Sequence, residues 1–219
     1  MIVNPGANTL LKARVGSRAF GLHNEHSDED FLGIYAAPTI MFHGMGTVQE
    51  SFVFKNPDTT YHEVGKYCRL ALKCNPTVLD LLWIKDYNVR TVLGTELVEL
   101  RNNFLSRKYV RNSYIGYATE QLKELTASSK PKQARHMFRL LHQGYELYTT
   151  GTYSVRLAEP QKFIDFGEEI AAGNLQLATD TLALYKEMFN NAPCVLPEVP
   201  NPVPIDNWLR KVRHELYQY

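Results

Sequence analysis

The chain has 219 residues, 44% hydrophobic and 21% charged, with a net charge of +1. That composition suits a folded protein of one or two domains and argues against a disordered or fibrous chain. No apolar run approaches the roughly 20 residues of a membrane span. The start, Met1 to Gly6, has neither the basic nor the apolar region of a secretion signal, and Cys68, Cys74 and Cys194 lack zinc-type spacing. A cytoplasmic protein with reduced thiols is expected.

In chain order, residues 9–15 read as a strand ending at Gly16-Ser17, followed by a turn or short helix from Arg18 to Asn24. A second strand runs from Asp30 to Ala36 and is closed by Pro38; residues 47–54 form a further strand. Asn56-Pro57-Asp58-Thr59 reads as a turn that caps a helix, with Glu63 as capping partner and Tyr61, Val64, Cys68, Ala71 and Leu72 on one face. Asn75-Pro76 stops that helix. The apolar run Val78 to Ile84 then reads as a strand buried on both faces.

From about residue 95 the pattern is helical, over 96–104, 109–125 and 132–148, the last ended by Gly151. Helices over about 161–172 and 175–190 precede a proline-rich stretch from Pro193 to Pro204. Asp206 is expected to cap a final helix reaching about Tyr217.

The chemistry concentrates near the N-terminus. A Gly-Ser turn brings backbone N–H groups close to a phosphate. Asp28 and Asp30, at i and i+2, point to one face of a strand and suit a divalent cation, while Glu29 points to the other. Asp80 lies inside Val-Leu-Asp-Leu-Leu-Trp-Ile, where a carboxylate is costly to bury alone. It is expected to be a third carboxylate on a strand beside Asp28 and Asp30; the alternative is a turn cap or an Arg partner. Such a set suits nucleotidyl transfer, in which two divalent ions activate the attacking oxygen and stabilise departing pyrophosphate.

Charge is uneven. Arg101 to Arg139 holds nine Lys or Arg against Glu120 and Glu124, a local net of +7, which suits a polyphosphate or a solvated helical face. Lys132, His136, Arg139 and Gln143 form one polar stripe, and Lys132 or Arg139 either grips a triphosphate or faces solvent. Arg18 is a phosphate ligand or a partner of Glu25 or Glu29. His23 and His26 sit in a loop-like segment and are not read as a transition-metal site. Trp83, Trp208, Tyr114 and Tyr117 are read as packing residues rather than base-stacking platforms.

The ordered set Gly16-Ser17-Arg18-Ala19-Phe20-Gly21, Ser27-Asp28-Glu29-Asp30-Phe31, and Asn75-Pro76 before Leu79-Asp80-Leu81-Leu82 resembles the DNA polymerase β-like nucleotidyltransferase superfamily. Phe104-Leu105-Ser106, Gly116-Tyr117-Ala118, His136 to Leu141, Leu196-Pro197-Glu198 and Trp208-Leu209-Arg210 look more closely like the RlaP-like group found near RNA ligases in bacteria and phages. The third acid of that group is usually Glu, whereas Asp80 is one methylene shorter.

The resemblance implies an α+β fold, a small mixed sheet flanked by helices. Residues 1–90 are expected to form the catalytic domain and 91–219 a helical domain closing over the nucleotide. It implies transfer of NMP from an NTP such as ATP, with Mg2+ (or Mn2+), to an RNA, protein or small-molecule acceptor. Asp28, Asp30 and Asp80 would hold the metals, and Gly16, Ser17, Arg18, Lys132 and Arg139 the phosphates. Two readings of another class stand beside it: an antitoxin-like module that neutralises a toxin-like protein partner, and an RNA-end binder.

Overall fold

A computed structural model describes residues 4–128 and 130–217; Met1 to Val3, part of the start read above as lacking a secretion signal, lie outside the described residues. β1 (Thr9–Val15) leads into a one-turn helix α1 (Gly16–Phe20), and β2 (Asp30–Tyr35) follows. After a 3-10 turn at Thr39–Phe42 come β3 (Ser51–Phe54), β4 (Asp58–Glu63), α2 (Val64–Ala71), α3 (Pro76–Trp83), β5 (Tyr87–Arg90) and α4 (Val92–Glu99). A second 3-10 turn at Arg101–Phe104 precedes α5 (Arg107–Ser128), α6 (Pro131–Thr150), α7 (Pro160–Ala171), α8 (Leu175–Asn191) and α9 (Pro202–Glu215).

The strands form one mixed sheet in the order β3-β4-β2-β1-β5, with β2 and β4 parallel and the other pairs antiparallel. The α+β architecture agrees with the expectation. Leu11, Ala13, Leu32 and Ile34 belong to one apolar cluster with Val64 and Tyr67 of α2, Leu79 of α3 and Leu97 of α4. The cluster continues through Tyr114, Leu141, Phe163 and Phe189 of α5 to α8. The last helix returns to the sheet side. Trp208 Nε1 donates to Leu93 O at 3.2 Å, and Arg213 Nη1 bonds Glu63 Oε1 at 2.7 Å.

Three local readings are corrected. Asp58 to Glu63 is a strand, because Thr59, Tyr61 and Glu63 are buried while Asp58, Thr60 and His62 between them are half-exposed. Glu63 ends it as the N-cap of α2, its carboxylate accepting from Gly65 N at 2.7 Å. The run from Val78 is helix, not strand. Asn75 caps it by accepting from Thr77 N, and Pro76 occupies the first turn, where its missing N–H costs nothing. A helix buried all round and a strand buried on both faces show the same aperiodic apolar run. The last helix begins at Pro202 with Asn201 as its cap, one turn before Asp206.

Candidate active site

The site begins where β1 stops. Gly16 has φ +70°, a left-handed value that favours glycine. A Cβ there would fall 2.5 Å from Asp30 Oδ2, so glycine is also needed for the turn to pass the carboxylate. Ser17 follows in the first turn of α1. Its carbonyl accepts from Gly21 N and from Leu22 N, the latter at 2.9 Å, which closes the short helix.

Asp30 opens β2 opposite Val15, and Asp58 opens β4 in register with Asp30. Residues in register project to the same face of a sheet, so Asp58 stands beside Asp30 on the helix-covered face. Asp28, exposed, lies two residues upstream. The turn that delivers it is tied by Asn24 N to Ser27 Oγ at 2.9 Å and by Arg18 Nη2 to Ser27 O at 2.8 Å. The Nε of Arg18 is buried without a hydrogen-bond partner, a donor left unused beside the turn. Glu29 faces away and pairs with Arg14 at 3.1 Å.

Electrostatics tie these groups together. Asp30 has its pKa raised first by burial, and then by the charges of Asp58 and Asp28; Lys132 and Lys55 act in the opposite sense. Lys132, exposed in the first turn of α6, thus brings a cation to the acids from the helical half of the chain. Lys55 pairs with Asp58 at 3.2 Å.

Carboxylate oxygens with no sulfur or imidazole in the set suit a hard cation such as Mg2+ or Mn2+. Among the described residues no three His, Cys, Asp or Glu side chains form a ready-made cage. The fit is therefore to an ion that completes its shell with phosphate oxygens and water, as magnesium commonly does.

Asp58 is not among the site residues expected from the sequence, because Asn-Pro-Asp-Thr has the pattern of a turn that caps a helix. The signal that identifies it is the pair of β-branched threonines followed by Tyr61, which alternate as a strand does.

Asp80 takes a different position from the one expected. It lies on α3, 2% exposed, and accepts from Tyr153 Oη at 2.5 Å. Arg139 Nη1 lies 3.9 Å from its other oxygen. Burial raises the Asp80 pKa, opposed by Arg139 and by the Tyr153 hydrogen bond.

Arg139 is likewise turned inward, 2% exposed. It donates to Gln143 Oε1 at 2.7 Å, approaches His136 Nδ1 at 3.3 Å and stacks on Phe20 of α1 at 3.8 Å. Gln143 in turn donates to the carbonyls of Ser154 and Val155 at 2.7 and 3.1 Å. Leu157 N donates to Phe20 O at 3.1 Å. The polar stripe of α6 is thus open only at Lys132. Its remaining members form a buried joint between α3, α6, the 152–158 segment and the helix that follows Gly16.

Among the described residues no helix is long and apolar enough to cross a membrane. No curated protein matches the chain. A solved structure, a nucleotidyltransferase-like protein from Exiguobacterium sibiricum 255-15, aligns over 95% of this chain and 74% of its own at 11% identity, with a TM-score of 0.30. The family model RlaP, described as the RNA repair pathway DNA polymerase beta family, matches residues 2–182. With the Gly-Ser turn and the acids at the head of β2 inside that match, the chain belongs to the RNA repair pathway DNA polymerase beta family.

Proposed function

We propose that the protein transfers a nucleoside monophosphate from an NTP to an RNA end, using divalent metal held by Asp28, Asp30 and Asp58. The observation that carries this reading is the register of Asp30 with Asp58 beside the Gly16 turn, with Lys132 acting on Asp30 from α6. Bound Mg2+ or Mn2+ would supply charge neutralisation at the phosphates and a more acidic attacking hydroxyl.

The chain's own groups do the rest. The Gly16-Ser17 backbone and the half-buried Arg18 guanidinium meet the β- and γ-phosphates, and Lys132 neutralises them from the opposite side. The acceptor hydroxyl oxygen bonds to the α-phosphorus, the bond to the bridging oxygen breaks, and pyrophosphate leaves. The hydroxyl proton passes to a carboxylate of the trio. RNA is chosen as acceptor because the matched family is described by an RNA repair pathway. Asp80 and Arg139 hold the joint behind the site rather than the metal or the phosphates.

The test is incubation with each α-labelled NTP, Mg2+ or Mn2+ and total RNA, beside Asp30→Asn and Asp58→Asn. Label moved to RNA by wild type and lost in both variants is the expected result. Label that moves equally well in Asp58→Asn removes Asp58 from the trio, and label that enters only protein removes RNA as the acceptor.

A further inference from the structure

On one face of the sheet Leu11, Ala13, Leu32 and Ile34 pack into the apolar cluster with α2, α3 and α4. On the other, Lys12 is in register with Gly33, Gly33 with Tyr61, and Tyr61 with Phe52, so all four share that side. Tyr61 lies flat against Gly33, where an added Cβ would fall 2.5 Å from its ring. Phe52 and Phe54 stack with centroids 6.3 Å apart and planes 11° apart, and Phe54 meets Tyr61 edge-on at 6.1 Å. Lys12 Nζ sits 5.0 Å from the Phe31 ring and 5.5 Å from that of Tyr61.

The chain after β2 covers the end of this face near Tyr35, Ala37 and Val48. The opposite end is open. Phe54 is 46% exposed, Phe31 and Lys12 are half-buried, and Arg14 is exposed beside Glu29. Among the described residues no carboxylate lies within ion-pair distance of Lys12, so its charge is available to an outside anion.

Aromatic rings beside a lysine with no ion pair among the described residues, and an arginine whose surface pair with Glu29 is exposed, match the chemistry of single-stranded nucleic acid. Bases stack on rings whatever their sequence, and cations meet the phosphates. Phe31 directly follows Asp30 on β2, so the open end of this face lies across the head of the strand from the site, on the opposite side of the sheet.

We propose that this face binds single-stranded RNA, with bases stacked on Phe54 and Phe31 and phosphates on Lys12 and Arg14, and that the bound strand's end turns over the head of β2 toward Asp30. The proposal rests on the reading of the acceptor as an RNA end, and its test uses neither nucleotide nor metal.

Fluorescence anisotropy of a labelled single-stranded RNA of about twelve nucleotides, in EDTA, measures affinity for wild type, Phe54→Ala, Lys12→Gln and the remote control Lys186→Gln. Phe54→Ala should weaken binding about tenfold, with an unchanged circular dichroism melt. Lys12→Gln should reduce the salt slope by about 0.7, and Lys186→Gln should bind like wild type. Asp30→Asn should bind RNA normally while losing transfer, which separates the two readings.

The proposal is overturned if Phe54→Ala and Lys12→Gln bind like wild type, or if duplex RNA binds as tightly as single strand. It is also overturned if Phe54→Ala changes the oligomeric state by light scattering and leaves RNA affinity intact, since the face would then serve a second copy of the chain.

Discussion

Replacing Asp80 separates a structural acid from a metal ligand. The side chains of Asp80 and Arg139 are 4% and 2% exposed, with their nearest charged atoms 3.9 Å apart. At an effective dielectric near 20 that separation corresponds to about 4 kcal/mol of attraction. Asp80→Ala leaves Arg139 buried without its counter-charge and Tyr153 Oη without its acceptor. Removing one member of a buried pair costs about 3–5 kcal/mol. For a chain of this size that lowers the melting temperature by about 10 °C. Asp80→Asn keeps an acceptor for Tyr153 and should lose about half as much.

The assay is thermal unfolding by circular dichroism, paired with NMP transfer at a temperature where every variant is folded. Asp80→Asn should then transfer within about tenfold of wild type with an unchanged Mg2+ requirement. Asp58→Asn should melt no lower than wild type and lose transfer by about a hundredfold or more. An Asp80→Asn protein that melts like wild type, yet loses transfer and needs more Mg2+, would refute this assignment and return Asp80 to the metal.

Gly16→Ala should destabilise the fold by about 1–2 kcal/mol through its left-handed φ alone. It should also abolish transfer by displacing Asp30; normal activity with a normal melt would contradict the close approach. Arg18→Gln should release the Ser27 carbonyl and lower transfer about tenfold or more while shifting the melt by less than about 1 kcal/mol. Hydrogen exchange at 24–28 then reports whether the turn loosens.

His136 has its pKa pushed down to about 3, by burial first and then by Arg139 and Lys132. The unfolded chain takes up that proton near pH 6.5. The stability from a neutral His136 is therefore complete above that pH and falls toward pH 3, by up to about 1.4 kcal/mol per pH unit. His136→Gln should flatten the acid limb of a urea-unfolding series, and equal slopes in the two proteins would refute the assignment.

How much was legible in the chain depended on how local the signal was. β1, the Gly16-Ser17 turn and β2 carry their instructions in adjacent residues: alternating apolar positions, a glycine where φ is positive, and carboxylates two apart at a strand's start. The long amphipathic helices likewise show their period within a few turns, whereas the aperiodic apolar run of α3 does not tell helix from buried strand.

The partner of Asp30 was not legible, because parallel pairing of β2 with β4 joins residues 28 positions apart through a crossover. No local pattern distinguishes Asp58 from an ordinary turn acid until that register exists. The fates of Asp80 and Arg139 were hidden for the same reason. Sequence alone required a buried Asp80 to find a partner, by the cost of desolvation, and left Arg139 to a triphosphate or to solvent. Only the packing of α3 against α6 and the 152–158 segment decided that they would find each other and Tyr153. The sequence determined which residues could do chemistry; long-range register and packing decided which of them stand together.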